Sequence, residues 1–516
     1  MLKPKANELN PPDASFATPA AAPRIIPRSE HAISRSHISA NALRVLYRLR
    51  EAGFMAFLVG GCVRDLLIGI EPKDFDVATD ALPEQVKRLF RNCRLVGRRF
   101  RLAHVFFGRE IIEVATFRAA SAPSQGEEPL SEADPEDGEV PELDETAIEE
   151  SAERDEIPEL ALAAPDASAT RLGRAAADAA GDDAARRFDA SGRILRDNVY
   201  GTIDEDVWRR DFTANALYYN IADYSLWDYV NGAQDIAART LRLIGEPETR
   251  YREDPVRMLR AARFEAKLGF SIDAATAEPI ERLRGLLAGV PPARLFDETL
   301  KLFLTGHGER SFEVLRRRRL LAVLLPSVDA YFATHPGSLV EKLLLQGLRN
   351  TDARVVADKP VTPTFLFALL LYGPVAGLIE AAPPARWHEL TTILAACDRA
   401  IREASARIAI PKRFALGVRE MFGLQPRLEH PRGRRALRLL EHPRFRAAYD
   451  LLQLRAEHGL APPPMAQWWT RLQEASTEER NRMADALAGE AHPRLSQGGR
   501  RRSRRRRRKS GPVSPA

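Results

Sequence analysis

Residues 57–76 read F-L-V-G-G-C-V-R-D-L-L-I-G-I-E-P-K-D-F-D, and this stretch decides how the first part of the chain folds. An apolar run at 57–59 stops at two glycines, and apolar residues then recur at helical spacing, which predicts strand, turn and helix. Glycine lets a backbone approach a ligand closely, and the N–H groups that open a helix favour an anion. Gly60, Gly61 and Arg64 are therefore a candidate cradle for a triphosphate.

Two carboxylates follow this turn, Asp74 and Asp76, on either side of Phe75. Residues two apart in an extended strand point to the same face, so we expect the carboxylates to share one patch. Like charges that close raise each other's pKa unless a cation neutralises them, and hard oxygen ligands near phosphate suit Mg²⁺. The pair therefore predicts a metal site, although a lone D-x-D sequence could also shape a turn after Pro72.

A third carboxylate, Glu113, interrupts the apolar stretch I-I-E-V-A-T-F at 111–117. Gly108, in the two-residue turn before it, favours a tight hairpin with the preceding strand. Beside a strand that carries Asp74 and Asp76, Glu113 would complete a three-carboxylate site, whereas on an edge strand it would face water. The residues alone favour the edge strand.

Composition permits several domains with sizeable cores, since 45% of the 516 residues are hydrophobic. Three widely spaced cysteines, Cys62, Cys93 and Cys397, argue against a disulfide framework and a Cys-ligated zinc site, so we expect a cytoplasmic protein. The N-terminus has no apolar core of a secretory signal. The longest apolar run, 365–372, is far shorter than the roughly 20 residues of a membrane helix and predicts a buried helix.

The formal net charge is only +6, but acidic and basic residues are concentrated in different segments of the chain. Residues 1–34 are rich in Pro, Ala and Ser, the insert at 121–188 holds sixteen acidic residues against one arginine between 127 and 159, and the tail at 486–516 is basic. Such compositions cannot bury enough apolar surface to offset the ordering entropy. We therefore expect a disordered arm, an acidic disordered insert and a disordered basic tail.

The rest of the chain has helical periodicity. Charged and apolar residues alternate at helical spacing over 209–217. Asp254 precedes Pro255, which suits a first helical turn, and Arg257 and Arg260 lie on a face away from the apolar stripe. Residues 274–469 continue as helices with proline-bearing breaks.

Together these motifs resemble the class II nucleotidyltransferases, which extend RNA 3′ ends without a template. G-G-C-V-R-D at 60–65 is similar to the family's glycine motif, and D-F-D at 74–76 is similar to its metal pair. R-R-D-F-T-A-N-A-L at 209–217 resembles the motif that contacts ribose, and E-D-P-V-R at 253–257 resembles the one that selects the base. With this resemblance, Glu113 matches a third carboxylate on a neighbouring strand.

Two activities share these motifs, poly(A) addition and CCA addition to transfer RNA. P-P-A-R-L-F at 291–296, A-I-P-K-R at 409–413 and L-E-H-P-R-F-R-A-A-Y-D-L-L at 440–452 resemble the bacterial poly(A) polymerases. No His-Asp dipeptide occurs, so the phosphohydrolase domain of some CCA-adding enzymes is not expected.

The fold that the resemblance implies is α+β, with a small head built on a mixed β-sheet with flanking helices. An elongated all-α neck, body and C-terminal region would follow. We expect the catalytic head at 35–235, interrupted by the insert, a helical neck at 236–300 that carries the base-selecting motif, and an RNA-binding body at 301–485.

The implied reaction adds AMP from ATP to RNA 3′ ends by two-metal in-line transfer with release of pyrophosphate, and promotes RNA decay. Asp74, Asp76 and Glu113 would be catalytic, with Asp74 and Asp76 holding two Mg²⁺ ions. Arg210 and Asp211 would hold the ribose, and Asp254 and Arg257 would read the adenine. The full implied nucleotide-binding set is Gly60, Gly61, Arg64, Asp65, Arg210, Asp211, Asp254, Arg257 and Arg260.

The tail could be a localisation signal, a solvated segment or a phosphate-binding run. In an enzyme that acts on RNA 3′ ends, we favour phosphate binding. The residues concerned are Arg500, Arg501, Arg502, Arg504, Arg505, Arg506, Arg507, Arg508 and Lys509. The acidic insert could compete with RNA for basic surfaces, but we favour a solvated spacer. Two alternative functions stay open, a CCA-adding enzyme and a non-catalytic RNA-binding protein on the same fold.

Overall fold

The computed structural model describes residues 22–97, 101–119, 187–188, 194–196 and 199–490. The chain divides into two compact units. The first comprises 1–329 with 355–357 and 405–409, and the second comprises 330–354, 358–404 and 410–516. Most of the predicted basic tail at 486–516 and of the predicted acidic insert at 121–188 lies outside the described residues. The predicted disorder is wrong at 486–490, which end a helix that begins at Thr477, and at 187–188, which form a short strand.

The strands belong to the first unit. They are β1 (Arg24–Ile26), β2 (Ala56–Val59), β3 (Asp76–Thr79), β4 (Cys93–Val96), β5 (Leu102–Phe107), β6 (Glu110–Thr116), β7 (Arg187–Phe188), β8 (Ile194–Arg196), β9 (Leu217–Asn220), β10 (Leu226–Asp228), β11 (Thr240–Leu241) and β12 (Ser271–Ile272). Eight of them form one mixed sheet in the order β1-β10-β9-β2-β3-β6-β5-β4, in which only β3 and β6 run parallel.

The helices of the first unit flank this sheet and then continue beyond it. They are α1 (Ala40–Glu51), α2 (Gly61–Leu67), α3 (Pro83–Leu89), α4 (Ile203–Arg209), α5 (Gly232–Ala237), α6 (Pro247–Glu253), α7 (Val256–Leu268), α8 (Ala274–Leu283), α9 (Pro292–Phe303), α10 (Gly308–Arg317) and α11 (Leu321–Leu324). The mixed sheet with flanking helices confirms the predicted α+β class.

The second unit is helical in its described part. Two helices, α12 (Pro326–Thr334) and α13 (Leu339–Val356), lie at the division between the units. The others are α14 (Pro363–Leu370), α15 (Tyr372–Glu380), α16 (Leu390–Ile408), α17 (Lys412–Glu429), α18 (Arg435–Leu440), α19 (Phe445–Glu457), α20 (Pro463–Glu474) and α21 (Thr477–Glu490).

Helix α1 covers one face of the sheet, where it contacts β2, β3 and β6. Ser39 is its N-cap, because the Ser39 hydroxyl accepts a hydrogen bond from the Ala42 N–H at 3.1 Å. The apolar stripe that includes Val45, Leu46 and Leu49 is fully buried. The stripe packs on the central strands β2, β3 and β6, and β3 and β6 carry two of the candidate site residues.

The opposite face of the sheet carries a second apolar cluster, in which Phe57 of β2 and Tyr218 of β9 pack with Ile203 and Val207 of α4. The predicted hairpin is also confirmed: β5 and β6 pair antiparallel, and Gly108 in their turn has φ 60°. Strand β6 lies between β3 and β5, so Glu113 is on an interior strand and the edge-strand interpretation is wrong.

Two local predictions are corrected. The disordered arm does not extend to residue 34, because Arg24–Ile26 pairs with β10 at the edge of the sheet and Ile33 is fully buried. Pairing with a strand some 200 residues away leaves no local periodicity in the sequence. The helical pattern at 209–217 is also wrong, since α4 ends at Arg209 and a 3₁₀ turn at Thr213–Asn215 leads into β9.

In the second unit, Trp469 is fully buried among apolar side chains of α17, α18, α19 and α20, and its indole N–H donates to the Leu428 carbonyl at 2.7 Å. The predicted buried helix at 365–372 is confirmed by α14, whose Leu366 and Phe367 are buried. Among the described residues, no single helix is long and apolar enough to cross a membrane; α14 and α15 meet those criteria only as a pair, bent by 42°.

Candidate active site

The glycine turn lies against Asp76, the first residue of β3. Gly60 has φ 82°, a conformation that side chains disfavour, and a Cβ placed there would lie 3.4 Å from Asp76 Oδ2 and 3.9 Å from Arg210 Nη1. The glycine therefore lets the backbone, a carboxylate and a guanidinium approach one another. The predicted strand–turn–helix is confirmed by β2 and α2, on either side of Gly60.

Two of the three predicted carboxylates, Asp76 and Glu113, lie side by side on neighbouring strands, and Asp74 lies in the loop before one of them. Asp76 begins β3 and is the register partner of Glu113 on the parallel strand β6. Asp74 lies two residues earlier and is exposed, whereas Phe75 between them is buried. Glu113 Oε1 is 3.5 Å from His104 Nε2 on the next strand. The structure therefore places Asp74 and Asp76 on the face opposite Phe75, next to Glu113.

The surroundings of Asp76 favour its protonated form. Burial, then the charge of Glu113 and, more weakly, that of Asp74, raise the pKa of Asp76 to about 6 against the opposing charge of Arg210. A carboxyl whose ionised form is disfavoured by neighbouring carboxylates attracts a cation. Across the part of the chain that the structure describes, no group of three or more His, Cys, Asp or Glu side chains is arranged so that it could hold a metal ion by itself.

Arg210 is fixed by a buried network. Its Nε donates to the Tyr218 hydroxyl at 2.7 Å, its Nη2 donates to Asp206 Oδ2 at 2.9 Å, and the Tyr218 hydroxyl donates to the same Asp206 oxygen at 2.7 Å. Nη1 is the nitrogen that faces Gly60. The guanidinium therefore points one N–H edge at the glycine turn and Asp76.

Arg64 and Asp65 of α2 are paired with each other. Arg64 is 2% exposed, its Nε donates to Asp65 Oδ1 at 2.8 Å, and its Nη1 donates to Asn215 Oδ1. The second Asp65 oxygen lies 3.6 Å from Lys267 Nζ. These pairs anchor the helix after the glycine turn to the 3₁₀ turn and to α7, and the predicted nucleotide contacts of Arg64 and Asp65 stay predictions.

Asp211 joins the 3₁₀ turn to α7. Its Oδ2 accepts a hydrogen bond from Arg260 Nε at 2.7 Å, and its Oδ1 accepts from Asn215 Nδ2 at 3.2 Å. Burial alone would raise the pKa of Asp211, but the charge and hydrogen bonds of Arg260 outweigh it and hold the pKa well below its usual range. Asp211 is thus a fixed acceptor whose predicted ribose contact stays a prediction.

The predicted base-selecting residues are also held by partners. Arg294 of α9 donates to both carboxylate oxygens of Asp254, at 2.8 and 2.7 Å. Arg257 is 8% exposed, and its Nη1 donates to the Arg250 carbonyl at 2.7 Å and to Glu253 Oε2 at 3.0 Å. The two side chains are therefore oriented by the protein itself, as rigid recognition of one base edge requires.

Sequence reasoning missed the residues that hold these groups. Asp206 lies one helical turn before Arg210, a spacing that could have suggested the ion pair. Arg294 stands within the P-P-A-R-L-F motif, but nothing local indicates that it reaches Asp254, 40 residues earlier. No sequence pattern indicates the contacts of Tyr218 and Asn215, because those contacts depend on how 210–217 fold.

Three family models match the chain. The Poly A polymerase head domain matches residues 56–242, a probable RNA- and SrmB-binding site of polymerase A matches 269–332, and the polymerase A arginine-rich C-terminus matches 385–509.

Curated relatives agree with these models. Poly(A) polymerase I of Salmonella typhi is 44% identical over 473 residues, which is 91% of this chain and 90% of that protein. Poly(A) polymerase I of Haemophilus influenzae is 38% identical over 462 residues, 89% of this chain and 90% of that protein. The CCA-adding enzyme of Bacillus pumilus is 30% identical over 316 residues, 61% of this chain and 62% of that protein.

Solved structures described as a tRNA-processing enzyme share the fold. Its apo form 2 aligns with a TM-score of 0.50 and 19% identity over 86% of this chain and 99% of that one, and its apo form I aligns with 0.50 and 18% over 88% and 98%. At these identities the likeness shows the fold alone. From the length and identity of the curated matches, the chain belongs to the bacterial poly(A) polymerase family and is an enzyme of the nucleotidyltransferase class.

Proposed function

We propose that this enzyme is a poly(A) polymerase, which adds AMP from ATP to RNA 3′ ends without a template and releases pyrophosphate. The observation that carries the proposal is the 44% identity to Poly(A) polymerase I over 91% of the chain. The geometry supports it, because the glycine turn and the oriented Arg210 lie beside Asp76, which pairs in register with Glu113. On the family resemblance, we propose that the added tails promote RNA decay.

The carboxylates fit Mg²⁺. Asp76 has its pKa raised to about 6, first by burial and then by the charge of Glu113, so a cation beside it would favour its ionised form. Mg²⁺ is usually held by one or two carboxylates together with substrate phosphates and water, which suits an open pair better than a closed cage. We propose that Asp74 and Asp76 hold two ions and that Glu113 supports them. When bound, the ions would stabilise the attacking and leaving oxygens of an in-line displacement.

The protein's own residues position the reactants. The RNA 3′-hydroxyl oxygen attacks the α-phosphorus of ATP, and the bond to pyrophosphate breaks. Arg210 presents one N–H edge beside Gly60. In this proposal it therefore binds the phosphates of ATP, in addition to the ribose contact that the resemblance implies. Positioning and electrostatic stabilisation are the main demands of phosphoryl transfer, and no side-chain nucleophile is needed.

Base selection falls to Asp254 and Arg257. Arg294 donates one hydrogen bond to each oxygen of Asp254, and the Val256 N–H donates another to Oδ1 at 3.3 Å. In this proposal the carboxylate, held in place by these donors, accepts from the adenine amino group. A buried pair that is oriented before ATP arrives discriminates because a wrong base leaves its polar groups unpaired. CTP would therefore be a poor substrate.

The test is to incubate purified full-length protein, Mg²⁺ and labelled RNA with each nucleoside triphosphate separately. ATP should extend the RNA by many residues, whereas CTP, GTP and UTP should not. The rival CCA-adding activity is tested with transfer RNA that lacks its terminal CCA. Extension of that substrate by two C residues and one A, with no long tails on other RNA, would overturn the proposal.

A further inference from the structure

Arg250 contacts two separate parts of the candidate site and is not used by the proposed reaction. It lies in the last turn of α6, and its side chain is only 12% exposed. Helix α6 ends at Glu253, directly before Asp254, and α7 then carries Arg257. Arg250 is therefore close in sequence to the predicted base-selecting residues, although no part of the proposed reaction is assigned to it.

One terminal nitrogen of Arg250 holds the turn that carries Arg210. Nη2 donates to the Arg209 carbonyl at 3.0 Å and to the Arg210 carbonyl at 2.7 Å. Helix α4 ends at Arg209, where carbonyls lack partners within the helix. Arg250 therefore fixes the main chain of Arg210, whose side chain faces the glycine turn.

The other terminal nitrogen of Arg250 contacts the base-selecting group. Nη1 donates to Glu253 Oε2 at 2.7 Å, and the same oxygen accepts from Arg257 Nη1 at 3.0 Å. Arg257 Nη1 also donates to the Arg250 carbonyl at 2.7 Å. Two paths therefore join Arg250 to Arg257, one through the Glu253 carboxylate and one through the main chain of Arg250.

The Arg250 guanidinium is buried with one N–H unpaired. In the described part of the chain, Arg250 Nε has no hydrogen-bond partner. An unpaired buried N–H is destabilising, and apolar residues often pack as well or better where a charged pair is buried. Stability alone therefore does not explain an arginine here. A planar fork that donates to two carbonyls on one side and to a carboxylate on the other does explain it.

We propose that Arg250 is a positioning residue that links base recognition to triphosphate binding. Through Glu253 it orients Arg257, which would read the base, and through two carbonyls it holds Arg210, which would bind the phosphates. Arg250 acts through these residues rather than on the nucleotide. The inference rests on the proposed function for the roles of Arg210 and Arg257.

The test uses full-length Arg250→Lys protein, in which one ammonium nitrogen replaces the two terminal nitrogens while the charge is kept. The ratio of kcat/KM for ATP to that for CTP reports base recognition in RNA extension. The Ki of inorganic triphosphate, which has no base, reports phosphate binding. We expect the ratio to fall about five-fold and the Ki to rise about five-fold. A purely structural role would lower kcat/KM by one common factor for every nucleotide and leave the ratio unchanged.

Glu253→Gln separates the base side of the link from the phosphate side. The amide lacks the charge that Arg250 and Arg257 share, whereas Arg250 Nη2 can still donate to its two carbonyls. The ATP-to-CTP ratio should fall about five-fold, while the Ki of triphosphate should stay within about two-fold. This variant also tests the proposal if Arg250→Lys does not fold, because a native ratio in Glu253→Gln would overturn it.

Arg252→Lys is the matched control. Arg252 is on the same helix, pairs with Glu248 at 2.7 Å, and has a side chain that is 54% exposed. Both the ratio and the Ki should stay native. If Arg250→Lys changes one of the two measurements without the other, or if Arg252→Lys changes both as strongly, the proposed link is wrong.

Equilibrium dialysis of radiolabelled ATP without RNA, with CTP and inorganic triphosphate as competitors, separates this inference from the proposed function. If the native protein adds no AMP to RNA but Arg250→Lys shows both changes in binding, the link stands and the proposed function is wrong. If the native protein extends RNA with ATP but Arg250→Lys keeps the native affinity for all three compounds, the proposed function stands and the link is wrong.

Discussion

Arg294 holds Asp254 by two parallel hydrogen bonds, at 2.8 and 2.7 Å, across 40 residues of sequence. A two-point contact of this kind fixes the plane of the carboxylate as well as its position. If Asp254 reads the base, the choice of nucleotide depends on an arginine that need not touch the nucleotide itself.

Arg294→Ala should therefore weaken the preference for ATP over CTP. We expect the ratio of the two kcat/KM values to fall about ten-fold, because Asp254 can then turn and accept from more than one base edge. The measurement is primer extension with each nucleotide alone. Arg282→Ala, which removes an exposed pair with Glu248, should keep the native ratio. If kcat/KM fell by the same factor for every nucleotide, Arg294 would have no role in base selection.

Tyr218→Phe should release Arg210 from its fixed position. The change deletes a buried hydroxyl that accepts from Arg210 and donates to Asp206, which should cost about 1–3 kcal/mol of unfolding free energy. KM for ATP should rise several-fold as the guanidinium moves. Tyr229→Phe, which removes a hydrogen bond to Asp204 on the same side of the sheet, should spare KM for ATP. Equal KM values in all three proteins would show that orientation of Arg210 does not matter.

Gly60→Ala tests the close approach at the glycine turn. The substitution adds backbone strain of roughly 1–3 kcal/mol and places a methyl group against Asp76 and Arg210. Activity per folded molecule should fall at least ten-fold. Gly53→Ala provides the comparison, because Gly53 also has a positive φ, 87°, but its added Cβ would have nothing within 4 Å. Equal losses of activity in the two variants would show that backbone strain alone, and not the contact with Asp76 and Arg210, causes the effect.

The sequence was most informative where structure is local. The β5–β6 hairpin and the glycine turn each depend on a few adjacent residues, and the sequence predicts both. Pairing of Arg24–Ile26 with β10 was missed because strand pairing over about 200 residues has no local signature.

Within the site, residue types and spacing predicted the carboxylates, but on residues alone Glu113 was assigned to an edge strand. Its interior position depends on the parallel pairing of β3 with β6, which connects strands that are not consecutive in the chain. The contacts of Arg210 with Tyr218 depend likewise on the turn at 210–217. Side-chain networks that join distant segments are set by tertiary packing rather than by sequence pattern.

The raised pKa of Asp76 predicts a pH-dependent stability. In the folded protein, burial and then Glu113 raise this pKa to about 6 from the usual 3.8 that applies in the unfolded chain. The folded state holds the proton more tightly, so the metal-free protein loses stability as the pH rises from about 4 to about 6.

Asp76→Asn removes that loss because an amide does not ionise. In EDTA, the variant should be more stable than the native protein at pH 8, by up to about 3 kcal/mol for two pKa units, and this advantage should disappear at pH 4. Urea unfolding at the two pH values measures it. A stability difference that is the same at pH 4 and pH 8 would contradict the repulsion among the carboxylates.

The most direct test of the account is the rate at which Asp76→Asn protein extends labelled RNA with ATP and Mg²⁺ in a single turnover, measured on the preparation used for unfolding. Asp80→Asn is the control, because Asp80 Oδ1 accepts from the Met55 N–H at 2.8 Å and an amide oxygen can accept the same hydrogen bond. We predict that Asp76→Asn is at least about 1,000-fold slower, about 4 kcal/mol of transition-state stabilisation, with metal-free stability level or higher. A near-native rate, or a loss only in proportion to unfolded protein, would contradict the proposal that these carboxylates carry the chemistry.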